Sequence, residues 1–149
     1  MGDKKRTAIS LFNFVITAML ISACAPTNLR SIERSPTSYA QAVSISNFRS
    51  LVFVSGQIPV SDKDEKPPTD FQEQCRTVWE NITKQLAACD MKLTDIVKVT
   101  TYLADRSYRE QNYKIRHEVL GNHCPALTVI VVDIYDEEWL VEIEVIAAR

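Results

Sequence analysis

The chain has 149 residues, 46% of them hydrophobic and 24% charged, and a formal net charge of −2 at pH 7. This length predicts one domain plus a tail, and the composition is typical of a globular protein that folds without disulfides or metal. The slight negative charge, and the lack of a basic run interleaved with aromatics after residue 30, argue against nucleic acid or an anionic membrane surface as partner.

The first 24 residues have the features of a signal peptide. Lys4, Lys5 and Arg6 form a positive segment, and the largely apolar stretch Ile9–Ile21 is shorter than the ~20 residues of a membrane span. It ends in Ile21-Ser22-Ala23-Cys24, which resembles the bacterial lipobox, whose cysteine is lipidated and becomes the new N-terminus. We predict a signal peptide over 1–24, lipidation at Cys24, and an extracytoplasmic protein that meets the membrane only through this anchor. The alternatives are an uncleaved anchor helix, or a misassigned start codon on a cytoplasmic protein.

Residues 25–36 are polar with a proline near each end, which predicts a linker, and the domain then runs over 37–149. Apolar, β-branched runs predict strands at Ala42–Ser46 and Leu51–Ser55. Asp70 is a plausible N-cap, and apolar residues at spacings of three and four predict an amphipathic helix to about Cys89.

The second half of the domain predicts further strands and one helix. Residues Asp95–Leu103 alternate apolar and polar positions, Ser107–Leu120 reads as a helix, and two closing strands follow at Ala126–Ile134 and Trp139–Ala148. The predicted order is β-β-α-β-α-β-β, an α+β domain with helices on one face of a sheet. The other face needs a cover, so we expect the chain to oligomerise.

Four motifs occur in an order that resembles the Rid (YjgF/YER057c/UK114) family. They are Tyr39-Ala40-Gln41-Ala42 with Leu51-Val52-Phe53-Val54-Ser55-Gly56-Gln57-Ile58-Pro59, Asp95-Ile96-Val97-Lys98-Val99-Thr100-Thr101-Tyr102-Leu103, Asn112 early in the second helix, and Pro125-Ala126 with Val141-Glu142-Ile143-Glu144. The resemblance implies a chorismate-mutase-like subunit, a homotrimer with small-molecule clefts between subunits, and hydrolysis of 2-imino or 2-enamino acids without metal or organic cofactor. The family's pocket positions correspond to Tyr39, Ser55, Gly56, Asn112 and Glu142, and the position of its arginine corresponds to Leu127.

The chemistry of an imino acid assigns tasks to these residues. A guanidinium suits the substrate carboxylate, because its planar fork matches two oxygens. Glu142 can orient or deprotonate the attacking water if burial raises its pKa, and the backbone at Gly56 can approach a ligand closely. Leu127 offers neither charge nor donor, so we expect carboxylate recognition at that position to be lost. Arg116 or Arg149 would have to enter from another direction, which their spacing does not indicate.

Each candidate also has a plainer interpretation. Glu142 and Glu144 can be a solvent or interface pair on one strand face, and Tyr39 can be interface packing. His123-Cys124 has no second ligand pair at metal spacing and is expected in a loop, and His117 is expected to be exposed. Trp79 and Trp139 fit core or interface positions. The sequence therefore supports an imine hydrolase with altered substrate recognition, or a non-catalytic binding or interaction homotrimer.

Overall fold

The computed structural model describes residues 26–63 and 66–149. Over these residues the chain forms one mixed sheet and two α-helices. The predicted signal peptide and the lipidation site at Cys24 lie outside the described residues. The strands are β1 (Asn28–Ser35), β2 (Tyr39–Ser46), β3 (Leu51–Gln57), β4 (Ile96–Leu103), β5 (Ala126–Val131) and β6 (Val141–Ala148), and the helices are α1 (Phe71–Ala88) and α2 (Arg109–Leu120).

The strands of the described residues form a sheet in the order β1-β2-β5-β4-β6-β3. Strand β4 runs parallel to β5 on one side and antiparallel to β6 on the other. The parallel contact of β2 with β5 is short: it consists of Ala40 opposite Ala126, beside a hydrogen bond from Ala40 N to Pro125 O of 2.9 Å. The predicted α+β class is confirmed.

The predicted linker over 25–36 is wrong. Residues Asn28–Ser35 form strand β1, which pairs antiparallel with β2 and makes the element order β-β-β-α-β-α-β-β. An edge strand is held by backbone hydrogen bonds to one neighbouring strand and needs few apolar side chains. A polar segment such as this one therefore shows no strand pattern in the sequence. Pro36 stands just after the strand, where the missing N–H costs no ladder bond. The sheet therefore begins nine residues before the predicted domain start at Thr37.

Both helices pack on one face of the sheet and close the core. The side chain of Asp70 caps α1 by accepting from the backbone N–H groups of Gln72 and Glu73, as predicted. Trp79 is buried in this core, which confirms its predicted place. The fully buried apolar side chains come from α1, β4, α2 and β6 and include Ile82, Leu86, Val99, Leu103, Ile115, Ile143 and Val145.

The opposite face of the sheet carries exposed apolar side chains. Leu51, Phe53 and Ile130 point away from the helices, and 71% of Phe53 is exposed. Such a surface on a single chain is typical of a contact with another protein. No helix of the described residues is both long and apolar enough to cross a membrane.

Candidate functional site

Three of the candidate residues meet in one cleft at the edge of the helical layer. Tyr39, Asn112 and Leu127 line a cavity of about 550 Å³ between α2, the start of β2 and the strand β5. Tyr39 is half-buried, whereas only 2% of Asn112 is exposed. The structure therefore brings these residues together although 88 positions separate the first from the last in sequence.

The sheet register explains how Leu127 reaches this cleft. Leu127 lies opposite Val99 in the parallel pairing of β5 with β4, so it shares the helix-covered face and packs against the core. Asn112 lies on the inner side of α2, three residues before the buried Ile115. Leu127 is thus an apolar part of the lining of the cleft.

A residue that the sequence did not indicate also lines this cleft. Arg116 follows Asn112 by one turn of α2, and only 5% of it is exposed. Its Nη2 donates to Thr37 O at 3.2 Å, and its guanidinium lies 5.8 Å from the centre of the Tyr113 ring. Burial lowers the pKa of the Arg116 guanidinium from its ordinary value, since desolvation disfavours the charged form. Arg149, the other arginine considered, is exposed at the end of β6 and does not line the cleft.

Glu142 and Gly56 form a second cluster elsewhere in the fold. Glu142 is half-buried on β6, and its carboxylate lies so close to Gly56 that a Cβ atom on residue 56 would overlap Oε1. The pKa of the Glu142 carboxyl is raised, first by burial and then by the charge of Glu144. Ser55 precedes Gly56 and is exposed. Gly56 is therefore required here by the close approach of the acid.

The two clusters lie on opposite faces of the sheet. Leu127 lies opposite Val99, which in turn lies opposite Val145, and both valine side chains are buried under the helices. Glu142 is level with Tyr102, and Glu144 with Thr100, on the other face, as the predicted alternation requires. Within one chain, the cleft at Leu127 and the acid at Glu142 cannot share a ligand.

Two histidines in this region have structural hydrogen bonds. Ser38 Oγ lies 2.6 Å from His117 Nδ1 and donates to Gly121 O at 2.7 Å. Because a carbonyl only accepts, the serine proton goes to Gly121, so His117 donates to Ser38 and is not a base for it. His123 lies in the predicted loop, with Nε2 at 2.7 Å from Ile96 O. In the part of the chain that is described, no group of three acidic, cysteine or histidine side chains could hold a metal ion.

Comparisons with known proteins agree with this fold. The family model described as Endoribonuclease L-PSP matches residues 32–149. A RutC family protein of Pyrococcus horikoshii is 36% identical over 112 residues, which is 74% of this chain and 86% of that protein. The 2-iminobutanoate/2-iminopropanoate deaminase of Escherichia coli is 31% identical over 114 residues, 74% of this chain and 87% of the enzyme. The crystal structure of Escherichia coli TdcF with bound serine superposes with a TM-score of 0.64 at 30% identity, over 74% of this chain and 87% of that one.

These similarities extend over nearly the whole sheet and both helices, and they bear out the resemblance that the four motifs carried. The α+β architecture with six strands and two helices in the described residues matches the solved structures of that group, whose subunit is chorismate-mutase-like. The chain belongs to the Rid (YjgF) family.

Proposed function

We propose that the protein hydrolyses small imine or enamine metabolites and works as a homotrimer in which two chains form each ligand cleft. The observation that carries this proposal is the placement of the candidate residues on two faces of one sheet. The cleft is lined by Tyr39, Asn112 and Leu127 but does not include the carboxylate of Glu142. Glu142 in turn lines only a smaller cavity on the other face of the sheet. A second copy that brings its Glu142 to this cleft completes the site.

The open face of the sheet supports such an assembly. Phe53 is the most exposed apolar side chain there, with Leu51 and Ile130 on the same face. Covering this face with other copies removes apolar surface from water at roughly 25 cal/mol per Å². Closed rings of identical chains are a common way to bury a face of this kind.

The reaction needs few catalytic groups. Water adds to the C=N carbon, a proton passes to nitrogen, and the tetrahedral adduct expels ammonia to leave a carbonyl. Glu142, whose raised pKa makes it a better proton acceptor than an ordinary glutamate, takes the proton from water and returns it to the leaving nitrogen. Asn112 lines the cleft, and its buried Oδ1 atom has no partner among the described residues. An N–H group of the ligand that reaches this oxygen would supply the missing hydrogen bond.

The names of similar proteins support the same reaction class. One Escherichia coli relative is a 2-iminobutanoate/2-iminopropanoate deaminase, and TdcF, named a reactive intermediate deaminase, has been solved with bound serine. Both names describe small nitrogen-containing substrates or ligands. By similarity we expect this chain to handle a molecule of that size.

Ammonia release from freshly generated 2-iminobutanoate tests the proposal. We expect turnover by the wild-type protein and a loss of roughly 100-fold or more in Glu142→Gln, the range for removing a general base. Glu80→Gln is the matched control, because Glu80 is an exposed glutamate on α1 outside both clusters. Wild-type release no faster than the uncatalysed rate refutes hydrolysis of this substrate class, and equal loss in both variants refutes the role of Glu142.

Leu127 favours a second candidate, a non-catalytic small-molecule-binding or interaction homotrimer. This apolar residue stands at the position where the resemblance implies an arginine in the family's deaminases. The same assay separates the two: binding of 2-oxobutanoate without any ammonia release identifies a binding protein.

A further inference from the structure

Arg116 is a buried cation without a counter-ion. Its residue is 5% exposed, and in the described part of the chain no carboxylate forms an ion pair with it. The guanidinium has one neutral acceptor, Thr37 O, while its Nε has no hydrogen-bond partner among these residues. Burying a charge is unfavourable unless the charge is paired and hydrogen-bonded. Such a group beside a cleft is a candidate contact for an anion that the described residues do not supply.

Two residues that line the cleft carry buried, unpaired atoms that are complementary to one kind of ligand. The Nε–H group of Arg116 is a charged donor, and Oδ1 of Asn112 is an acceptor, and both are buried without partners. The residues are four positions apart on α2, which places their Cβ atoms about 5–6 Å from each other. A molecule that carries a carboxylate and an N–H group a few ångströms apart satisfies both. Inorganic phosphate offers an anion and an O–H donor but no N–H group.

The rim of the cleft has the same sign of charge. Arg106 and Arg109 line its exposed side, against one carboxylate, Glu110. Counted with Arg116, three cations face one anion, although the chain as a whole carries a net charge of −2. A locally positive cleft on an acidic protein attracts small anions.

We propose that Arg116, on α2, supplies the carboxylate contact of this cleft in place of the side chain at position 127. The cation thus comes from the helix above Leu127 instead of from the strand. The proposal rests on the proposed function for its ligand, a small imino or amino acid, but concerns recognition and not hydrolysis. It leaves intact the expectation that position 127 itself no longer binds a carboxylate, because the contact comes from another element.

Calorimetric titration of the full chain tests the assignment with stable probes. We expect 2-oxobutanoate to bind and its neutral amide, 2-oxobutanamide, to bind roughly 10- to 100-fold more weakly, the range for a hydrogen bond to a charged group. Arg116→Gln should weaken 2-oxobutanoate by a similar factor and leave the amide unchanged. Lys114→Gln, an exposed residue of the same helix outside the cleft, is the matched control for the lost charge. A third probe, 2-aminobutanoate, carries both the carboxylate and an N–H group, so phosphate should bind more weakly than this amino acid.

Two further measurements keep the assignment falsifiable. If Arg116→Gln does not fold, equal affinity of the wild-type protein for acid and amide overturns the proposal. In the double variant Arg116→Gln/Leu127→Arg, a restored preference for the acid supports the proposal, since the guanidinium then returns from the strand. No restoration, with the double variant folded, counts against it. Phosphate binding that equals or exceeds that of 2-aminobutanoate overturns the assignment to a carboxylate beside an N–H group.

The outcomes separate this inference from the proposed function. Ammonia release with an Arg116→Gln variant of unchanged KM retains the hydrolase and refutes the arginine contact. Arg116-dependent binding of 2-oxobutanoate without any ammonia release retains the contact and refutes the hydrolase.

Discussion

The contact between Gly56 and Glu142 gives the sharpest test of the acid's position. In Gly56→Ala the added Cβ would lie 2.7 Å from the carboxyl carbon of Glu142. Carbon atoms pack at about 3.5–4.0 Å, so the carboxyl group must retreat by about 1 Å. A displacement of that size at a reacting group costs on the order of 100-fold in rate. We therefore expect kcat/KM for 2-iminobutanoate to fall by roughly that factor.

The fold should survive this change. The atoms that the new Cβ meets belong to the end of a flexible side chain, and Gly56 does not have a positive φ. Alanine at such a position reduces the freedom of the unfolded chain and tends to stabilise by about 0.4–1 kcal/mol. Gly121→Ala is the matched control, since Gly121 has φ of 54° and no atom near its missing Cβ. It should lose about 1–3 kcal/mol of stability and keep its rate.

Steady-state ammonia release and thermal unfolding of both variants make the comparison. Wild-type kcat/KM in Gly56→Ala would contradict a positional role of the contact, because the carboxylate would then work equally well after displacement. A loss of activity only in proportion to lost folded protein would contradict it as well.

The remaining predictions concern titration, assembly and processing. The folded-state pKa of Glu142 is raised, so the folded protein favours the protonated carboxyl group. The stability that Glu142 contributes is therefore present at low pH and is lost as the pH rises through the folded-state pKa. Glu142→Gln should hence raise the Tm at pH 7, and this gain should disappear below a pH of about 4. A Tm difference between variant and wild type that is the same at every pH contradicts a raised pKa of Glu142. Phe53→Glu should convert the proposed trimer to monomers in light scattering and abolish turnover, although residue 53 does not line the cleft. A trimeric variant, or a monomeric wild type, refutes the proposed assembly. If the chain is a lipoprotein, palmitate labelling in bacteria should occur in the wild type and disappear in Cys24→Ala, and labelling of neither argues for the cytoplasmic alternative.

The helices and central strands could be predicted because their patterns follow from burial. In α1 the apolar residues recur at helical spacing, and in β4 and β6 they alternate, since one side of each element faces the core. The same alternation correctly placed Glu142 and Glu144 on one face. The strand ends were less accurate, since β2 begins at Tyr39 and β5 ends at Val131.

What the sequence did not reveal depends on partners distant in the chain. β1 is recognisable only through its pairing with β2, because an edge strand of polar residues has no pattern of its own. Arg116 was considered and set aside, because its spacing did not indicate the pocket and a charged residue on a helix is normally in solvent. The available signal was its position one turn after Asn112 and next to Ile115, on the side of α2 that faces the sheet.

Strand β1 also changes the geometry of any attachment at Cys24. A flexible linker over 25–36 would have let the domain range up to ~40 Å from a lipid group, at about 3.4 Å per residue. Because the sheet starts at Asn28, only three residues separate it from Cys24, a reach of ~10 Å. A lipid on Cys24 would therefore hold the β1 edge against the bilayer and leave the domain little freedom to turn. Substrates would then have to reach the cleft from the side of the molecule that faces away from the membrane, or laterally along its surface.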